Sequence, residues 1–497
     1  MRGVGDSMEA SMRDDLDPEG KRLPVKLDRT SNGEYAPPRL TRTQKLANRL
    51  AHEAASENAR RLGLSRRAFL VSAAGAATVL AAVNRAAEAG GMRGGSFAID
   101  GEATLDEQRA EAAVGGDEFI FDVQTHCVEP AGRWAQGADG ERWARVLRQV
   151  FGQASKCTSG GFDCYSAQTL AREVFLDSDT DVAVVSALWG QPNPTPIEYA
   201  DEAREIVRAI GGEGARALIH GGVFPQEPGA IEAMDAMVER HRVEAWKLYP
   251  QYGSNGRGIF LDRSEHANRF FEKARALGVK TVAVHKGVPL GNLEYEYSSP
   301  RDMGPVAVAN PDLTFLVYHG GFEGGKREGP YNPAAPEGVD RLIKAHQEAG
   351  LRRNQGNLYA EMGSLWRYFM GRPEEAAHVM GKLLKYFGEE RILWGTDSIW
   401  YGSPQDQIQA FRAFTISEEF QERYGYPALT AEAKRKIFGL NGARVYNIDV
   451  AALHGRGTLH ERRAAYRERR NPSFATYGPK TRREFLALWD ARGGIPG

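Results

Sequence analysis

The stretch EFIFDVQTH, residues 118–126, sets the pattern on which the rest of the chain is built. Its aromatic and β-branched residues predict a strand, and the polar residues at its end mark where that strand stops. Seven more runs of this kind follow, each stopped by Gly, Pro or polar residues. They are DVAVVSALWG (181–190), RALIHGGVFP (216–225), VEAWKLYP (243–250), KTVAVHKG (280–287), LTFLVYHGG (313–321), NLYAEMGS (357–364) and RILWGTDS (391–398).

Longer segments with apolar residues at helical spacing lie between these runs, such as IEYADEAREIVRAIG (197–211) and EEAAHVMGKLLKYFG (374–388). Apolar strands joined by helices predict a parallel sheet that is buried on both faces. Eight such units in residues 117–450 predict an α/β fold, the (β/α)₈ TIM barrel. An open doubly wound sheet is the alternative, but no glycine-rich phosphate-binding fingerprint follows the first strand.

The composition is that of a soluble globular protein, with 497 residues, 42% of them hydrophobic and 26% charged. A formal net charge of −1 gives no indication of a nucleic-acid partner. The three cysteines, Cys127, Cys157 and Cys164, are too few for a disulfide framework. Cys157 and Cys164 could form a bridge in an oxidising compartment, or all three could be free thiols.

The first part of the chain is expected to lie outside the barrel. Residues 1–64 have few large apolar side chains, which predicts a disordered N-terminal region, in which TQKLANRLAHEAASENARRL (43–62) could form a short amphipathic helix. Residues 65–89 contain two arginines followed by an uncharged stretch that is too short to span a bilayer, and then small residues suited to a cleavage site. This segment is either a buried alanine-rich helix or a signal peptide.

The order Ser65-Arg66-Arg67-x-Phe69-Leu70 resembles the twin-arginine export signal. The resemblance implies recognition by the twin-arginine export machinery and a periplasmic or secreted location. Because that route carries folded proteins, a cofactor could be acquired in the cytoplasm.

The C-terminal tail, residues 451–497, is rich in arginine with scattered aromatic residues. We expect a solvated arm or a segment that wraps a neighbouring subunit, which would make the protein a homo-oligomer. Nucleic-acid binding is not expected at this overall charge.

Polar side chains collect at the predicted strand ends, where TIM barrels carry their chemistry. A single polar residue at a strand end is usually a hydrogen-bonded structural residue. Polar residues at the ends of several strands predict a shared site. The residues are Gln124, His126, Lys247, His285, His319 and Asp397.

Three histidines and an aspartate form a donor set for one divalent metal ion, with zinc favoured over manganese or iron. Such an ion lowers the pKa of bound water from about 16 towards about 7. Asp397 is the candidate base for that water, and His319 could stabilise charge on the substrate or orient the water. Trp189, Trp366 and Trp400 could line a substrate pocket near the barrel mouth or pack in the core.

FDVQTH, AVHKG, VYHGG and LWGTDS, in this order, resemble the amidohydrolase superfamily. They are most similar to its amidohydrolase-2 branch, which includes metal-dependent hydrolases and aminocarboxymuconate-semialdehyde-type decarboxylases. The segment LTAEAKRKIFGLNGARVYNI (429–448) resembles the last helix of that branch. The resemblance covers about residues 117–450.

The resemblance implies that His126, His285 and Asp397 bind one metal and that His319 is a catalytic histidine. Gln124 stands where the first histidine of the family's pair is expected. Since glutamine offers only a neutral carbonyl oxygen, we expect weaker metal binding or an additional water ligand.

Lys247 stands where some members of the superfamily carry a metal-bridging carbamylated lysine. With a single metal expected, a role in binding a substrate carboxylate or in an ion pair is favoured. Trp189 and Trp366 complete the predicted substrate-binding set.

Three functions follow from these expectations. The first is a hydrolase that uses a metal-activated water on an ester, lactone or amide bond of a small organic acid. The second is a non-oxidative, metal-dependent decarboxylase of an aromatic or unsaturated acid. The third is a barrel without metal that acts as a binding protein.

Overall fold

The computed structural model describes most of the chain, with short gaps. The described ranges are 22–152, 161–212, 214–253, 257–288, 295–455, 457–469 and 474–491. Within these ranges no helix combines the length and hydropathy needed to cross a membrane. Cys127 is a buried free thiol and Cys164 is disulfide-bonded, while Cys157 lies outside the described residues.

Eight parallel strands form a barrel in which each strand pairs with the next one in the sequence. The barrel closes where the backbone N–H of His126 donates to the carbonyl of Ser398 at 2.6 Å and that of Asp397 donates to Gln124 at 2.9 Å. The TIM-barrel prediction is therefore confirmed, and the open-sheet alternative is wrong. The strands are β1 (Phe121–Thr125), β2 (Val182–Ser186), β3 (Ala217–Val223), β4 (Ala245–Leu248), β5 (Thr281–His285), β6 (Thr314–Tyr318), β7 (Leu358–Glu361) and β8 (Ile392–Leu393).

Helices surround the barrel and cover the outward faces of its strands. The crossover helices are Ile197–Gly211, Ala233–His241, Glu265–Ala276, Met303–Ala309, Asp340–Glu348, Leu365–Phe369 and Pro373–Tyr386. The long connection after β1 contains the helical segments Gly137–Arg145, Val146–Phe151, Ala167–Leu170 and Ala171–Leu176. After β8 come Gln405–Ala413, Glu418–Tyr424, Ala431–Arg435, Lys436–Leu440, Asn441–Tyr446, Val450–Leu453, Thr458–Arg469 and Arg482–Ala491.

The barrel interior is filled by apolar side chains, so it is a packed core and not a channel. Its lower end is covered by residues of the segment that follows Lys436–Leu440, including Ala443 and Leu453. The polar strand ends are thus left at the opposite, upper end. The interior side chains include Val123, Val182, Val184, Leu218, Ala283, Leu316 and Leu393.

Residues 22–64 differ from the prediction of disorder, because the structure shows them ordered against the barrel. The helix Arg42–Arg61 begins with a capping box between Thr41 and Gln44. It buries an alanine every fourth residue, at positions 47, 51, 55 and 59. This alanine stripe gives the helix a packing face without large apolar side chains, which explains why composition alone predicted disorder.

The segment with the paired arginines forms two helices, Arg66–Leu70 and Ala73–Ala89. The second is buried along most of its length and packs against Arg42–Arg61 and Glu107–Val114. The short strand Gly95–Phe97 then pairs antiparallel with Phe414–Ile416. The buried-helix interpretation therefore describes the folded chain, and export by the twin-arginine route stays a prediction.

The C-terminal tail also differs from a solvated arm, because its described parts pack on the barrel of the same chain. In Thr458–Arg469, the buried Arg463 donates from Nε to the carbonyl of Phe175 at 3.0 Å. Farther on, the backbone N–H of Tyr477 donates to the carbonyl of Trp400 at 2.8 Å. The tail thus reaches the upper end of the barrel.

Candidate active site

The upper end of the barrel brings together the predicted histidines and the aspartate. His285 is the last residue of β5, His126 and His319 directly follow β1 and β6, and Asp397 lies in the loop after β8. Each of these residues is at most 2% exposed. Because parallel strands all end at the same edge, four side chains that are distant in sequence meet in one buried site.

A change of register in β1 contributes to this arrangement. The pairing of β1 with β2 shifts between Asp122 and Thr125. Such an irregularity re-aims the side chains that follow it. Val123 lies in the barrel interior, while Gln124 and His126, only one and three positions later, both reach Asp397.

The three histidine rings are fixed in the same way. His126 donates from Nδ1 to the carbonyl of Ser186 at 2.8 Å, and His319 donates from Nδ1 to that of Gly363 at 2.8 Å. His285 donates from Nε2 to the carbonyl of Val288 at 3.1 Å. Since a carbonyl only accepts, each ring carries its proton on that side and turns the lone pair of its other nitrogen into the site.

The inward nitrogens face other acceptors at short range. His285 Nδ1 lies 3.3 Å from His319 Nε2, and His126 Nε2 lies 3.2 Å from Asp397 Oδ1. Burial lowers the pKa of His319 to about 4 and holds that of His285 well below its usual value, so both rings are neutral at pH 7. Nitrogen lone pairs that converge with no proton between them can act together as ligands of a cation. The residues therefore fit the divalent metal that the family resemblance implies.

Asp397 is the most highly connected side chain of the site. Its Oδ2 accepts hydrogen bonds from Asn32 Nδ2 and Ser364 Oγ, both at 2.6 Å. Burial would raise the pKa of this carboxyl, but the contact with His126 and the hydrogen bond from Ser364 hold it below the usual value. Asp397 is therefore a carboxylate at neutral pH.

Gln124 is turned so that its amide nitrogen faces the site. Nε2 donates to Asp397 Oδ1 at 3.1 Å, and among the described residues Oε1 is buried with no hydrogen-bond partner. The predicted role of Gln124 as an oxygen ligand requires the opposite orientation of the amide. In the orientation observed, Gln124 holds Asp397 in place.

Backbone strain is concentrated at the site. His319, Ser364 and Asp397 all have positive φ, at 60°, 57° and 59°. For residues other than glycine this conformation costs on the order of 1–3 kcal/mol, and it persists where surrounding contacts impose it. Glu361 supplies such contacts by accepting from the backbone N–H groups of His319 at 3.0 Å and Gly363 at 2.5 Å.

Lys247 lies beside the histidines, on β4. Its Nζ stands 3.5 Å from the centre of the Tyr318 ring and 4.5 Å from that of Tyr249, which stacks on His285 at 5.0 Å. Within the described part of the chain Nζ has no hydrogen-bond partner, and burial lowers the pKa of this amine to about 7. It is a buried amine in an aromatic cage, and a nearby anion would favour its protonated form.

The tryptophans divide between the site and the outer core. Trp400 stacks on His126, with ring centres 6.4 Å apart. Trp189 packs with Trp143 and Tyr252. Trp366 is a correction to the predicted substrate-binding set: its ring packs edge-on against Phe411 and Phe414 and its Nε1 donates to Gln407.

The N-terminal strap, residues 22–40, supplies site residues that the sequence did not indicate. Asn32 and Glu34 of the strap reach into the barrel mouth, where Glu34 Oε2 lies 3.6 Å from His319 Nε2. Lys26 anchors the strap through a buried ion pair with Asp406 at 3.3 Å. No periodic pattern marks this stretch, so only the fold reveals it.

Several solved structures resemble the chain at low identity. An uncharacterised TIM-barrel protein from Bordetella bronchiseptica matches at 14% identity and a TM-score of 0.42, covering 68% of this chain and 99% of that protein. 5-Carboxyvanillate decarboxylase from Sphingomonas paucimobilis matches at 15% identity and a TM-score of 0.37, covering 67% of this chain and 99% of that protein. 4-Oxalomesaconate hydratase from Rhodopseudomonas palustris matches at 17% identity and a TM-score of 0.37, covering 67% of this chain and 98% of that protein. These similarities say nothing about the reaction of this chain.

No curated protein matches the chain. A family model for amidohydrolases, of the second amidohydrolase type, matches residues 178–448. That range holds seven of the eight strands, together with His285, His319 and Asp397, and it is more than half of the 497 residues. The chain therefore belongs to the amidohydrolase family.

Proposed function

We propose that this protein is a metal-dependent hydrolase that cleaves an ester, lactone or amide bond of a small organic acid. Membership of the amidohydrolase family supports an enzyme with a small-molecule substrate. The observation that carries the proposal is the pair of buried nitrogens, His285 Nδ1 and His319 Nε2, which lie 3.3 Å apart in rings that backbone carbonyls fix.

His285 and His319 would hold the metal, for which zinc is favoured over manganese or iron. When bound, a divalent ion lowers the pKa of a water ligand and polarises a substrate carbonyl. That His126 and Asp397 are further ligands, as the family resemblance implies, stays a prediction. His319, expected as a separate catalytic histidine, is assigned here to metal binding because of its distance from His285.

Asp397 is the proposed general base. Its Oδ1 lies beside His126 and Gln124, so the carboxylate is oriented and kept ionised at neutral pH. It would take a proton from the attacking water and return it to the leaving group. His126, held by Ser186, would share that proton in the intervening step.

Lys247 is the proposed anchor for the acid group of the substrate. A carboxylate that enters the aromatic cage would meet a lysine amine that donates no hydrogen bond to any described residue. Charge-assisted hydrogen bonds of this kind are about twice as strong as neutral ones. This contact restricts the substrate to an acid.

The test begins with metal analysis of the full-length protein, followed by a screen of lactones, esters and amides of small acids in water enriched in oxygen-18. We expect about one metal ion per chain and oxygen-18 in the product. His285→Gln is expected to lose metal and activity, and His266→Gln, on an exposed helix surface, to keep both. A wild-type protein without metal would contradict the proposal and support the metal-free binding protein.

A decarboxylase remains the second candidate, and the ring-lined site favours it for aromatic acids. Tyr249 and Tyr318 flank Lys247, an environment that can receive an aromatic carboxylate. Release of carbon dioxide from such an acid, without oxygen-18 in the organic product, would replace the hydrolase proposal.

Export by the twin-arginine route and a periplasmic or secreted location are separate proposals, supported by the motif at residues 65–70. In the folded chain Arg66 contacts His52 and the helix Ala73–Ala89 is buried. Cleavage after this helix would remove both it and the strap. Sequencing the N-terminus of the exported protein decides whether residues 22–89 are retained, and Arg66→Lys with Arg67→Lys tests the route.

A further inference from the structure

Glu34 is the acidic side chain that the strap carries to the histidines. Among the described residues, Glu34, His285 and His319 form the one group of three potential metal-binding side chains whose ligand atoms all lie within 4.8 Å of one another. Both histidines are buried, and the Glu34 side chain is 13% exposed. This group contains the metal-binding pair of the proposed function together with a carboxylate from outside the barrel.

The separations between these ligand atoms match those of a tetrahedral metal site. His285 Nδ1 and His319 Nε2 are 3.3 Å apart, and they lie 3.8 Å and 3.6 Å from Glu34 Oε1 and Oε2. Ligands at about 2.1 Å from a tetrahedral ion lie about 3.4 Å from each other. The two Glu34 separations involve different carboxylate oxygens, so one ion would contact all three side chains after a small rotation of that carboxylate.

Hydrogen bonds of the strap hold Glu34 in this position. Asn32 Nδ2 donates to Glu34 Oε2 at 2.5 Å, and the backbone N–H of Glu34 donates to Asn32 Oδ1 at 2.9 Å. Gly33, with φ of +86°, makes the turn between them, and a Cβ there would lie 2.8 Å from Leu488. Ser31 closes the turn by donating from Oγ to the carbonyl of Tyr35 at 2.6 Å.

The strap is itself fixed to the barrel on both sides of the turn. Arg367 Nη2 donates to Asp28 Oδ1 at 2.6 Å, and the hydroxyls of Tyr35 and Tyr401 are 3.0 Å apart. The backbone N–H of Ser31 donates to the carbonyl of Pro479 at 2.9 Å. Because the Glu34 carboxylate is already held in place, it would lose little further conformational entropy when it binds an ion. Such positioning is required of a metal ligand.

We propose that Glu34 is a ligand of the metal ion, together with His285 and His319. It supplies the anionic oxygen that Gln124, with its amide nitrogen towards Asp397, does not supply. Two neutral imidazoles and one carboxylate are a donor set that zinc accepts in catalytic sites, with a fourth position left for water. The inference rests on the proposed metal-dependent function and requires that the functional chain keeps residues 22–89.

The test is titration of the metal-free full-length protein with Co²⁺, followed by visible absorption and calorimetry. We expect Glu34→Gln to weaken Co²⁺ binding at least tenfold and to change the Co²⁺ absorption bands, because one ligand is lost. Glu337→Gln, a matched change at an exposed glutamate, is expected to leave affinity and spectrum unchanged. Thermal unfolding without metal shows whether Glu34→Gln keeps its fold.

The outcomes separate this inference from the proposed function. Unchanged affinity and spectrum in Glu34→Gln, with one ion bound to the wild type, would overturn the role of Glu34 and leave the metal-dependent function standing. Loss of binding in His126→Gln, with full binding in Glu34→Gln, would place the ion at the His126–Asp397 pair. Absence of Co²⁺ binding in the wild type would overturn both proposals.

Discussion

The side-chain amide of Asn32 donates to Asp397 Oδ2 at 2.6 Å, although the two residues are 365 positions apart in the chain. The same amide nitrogen donates to Glu34 Oε2. One neutral side chain therefore stands between two carboxylates and joins the N-terminal strap to the loop after the last barrel strand.

Replacing Asn32 by Asp should release the strap, because a third carboxylate would face Glu34 and Asp397. A hydrogen bond to a charged group contributes about 1.5–3 kcal/mol, so the loss alone corresponds to about 10–100-fold faster local opening. Hydrogen exchange of the backbone amides of Gly33 and Glu34 measures this opening. Asn32→Ala, which removes the bonds without adding charge, should have a smaller effect. Equal protection in all three proteins would show that the contact does not hold the strap.

Lys247→Met should weaken the binding of acid substrates while the fold is retained. The expected loss is about 10–100-fold in kcat/KM, mainly through a higher KM, since a charge-assisted bond is removed. Melting temperature should rise, because a buried polar amine without a hydrogen-bond partner among the described residues is replaced by an apolar chain of similar length. Steady-state kinetics with an acid and with its neutral amide separate the two effects. An unchanged KM for the acid would exclude Lys247 as the anchor.

Gly395→Ala should disturb the site by displacing a side chain that holds its backbone. A Cβ at this position would lie 1.6 Å from Glu361 Oε1 and 3.3 Å from Gln124 Cβ. The buried Glu361 would have to move, and with it the backbone of His319 that it holds. We expect a loss of about 1–3 kcal/mol in the free energy of unfolding and weaker metal binding. Gly329→Ala, where a Cβ meets open space, is the matched control for urea unfolding.

His346 should make the protein sensitive to acid through a residue that is not part of the candidate site. The ring is buried against Phe387, and burial lowers its pKa from 6.5 to about 4. Below pH 6.5 the histidine is protonated in the unfolded chain, but in the folded chain it is protonated only near pH 4. The free energy of unfolding therefore decreases as pH falls from about 6.5 to about 4. The contribution is about 2 kcal/mol at pH 5 and about 3 kcal/mol near pH 4.

His346→Leu should therefore flatten the dependence of the unfolding free energy on pH between 7 and 5. His378, whose pKa burial also lowers to about 4, keeps part of the dependence in this variant. Urea unfolding at pH 7 and pH 5 measures the change, with His266→Leu at an exposed position as the control. A slope equal to that of the wild type would rule out titration of His346 as a cause.

The barrel could be predicted because its strands carry a local signal. Runs such as TVAVH and TFLVY are apolar throughout, as strands covered on both faces must be, and their repetition fixes the order of the sheet. The meeting of His285 with His319 and of His126 with Asp397 then follows from the rule that parallel strands end at one edge. These contacts needed no knowledge of side-chain packing.

Glu34 and Asn32 could not be predicted in the same way. They lie in an irregular segment whose position depends on distant partners, among them Asp397 and Pro479, and such pairings leave no periodic mark in the sequence. The packing of the helix Arg42–Arg61 on the rest of the chain could not be predicted for another reason: its buried stripe is made of alanine, which composition counts as weakly apolar. Trp366 and Trp400 were indistinguishable in sequence, and only packing assigns one to the core and the other to the side of His126.

The contact of Ser31 with Pro479 has a consequence for the order in which the protein folds during translation. The strap is synthesised before the barrel strands, but its partner in the tail is synthesised after them. The barrel strands can pair before that moment, while the mouth is still uncovered. Under the proposed metal-dependent function, an ion would have access to His285 and His319 before the tail is synthesised, and the contact between tail and strap would form afterwards.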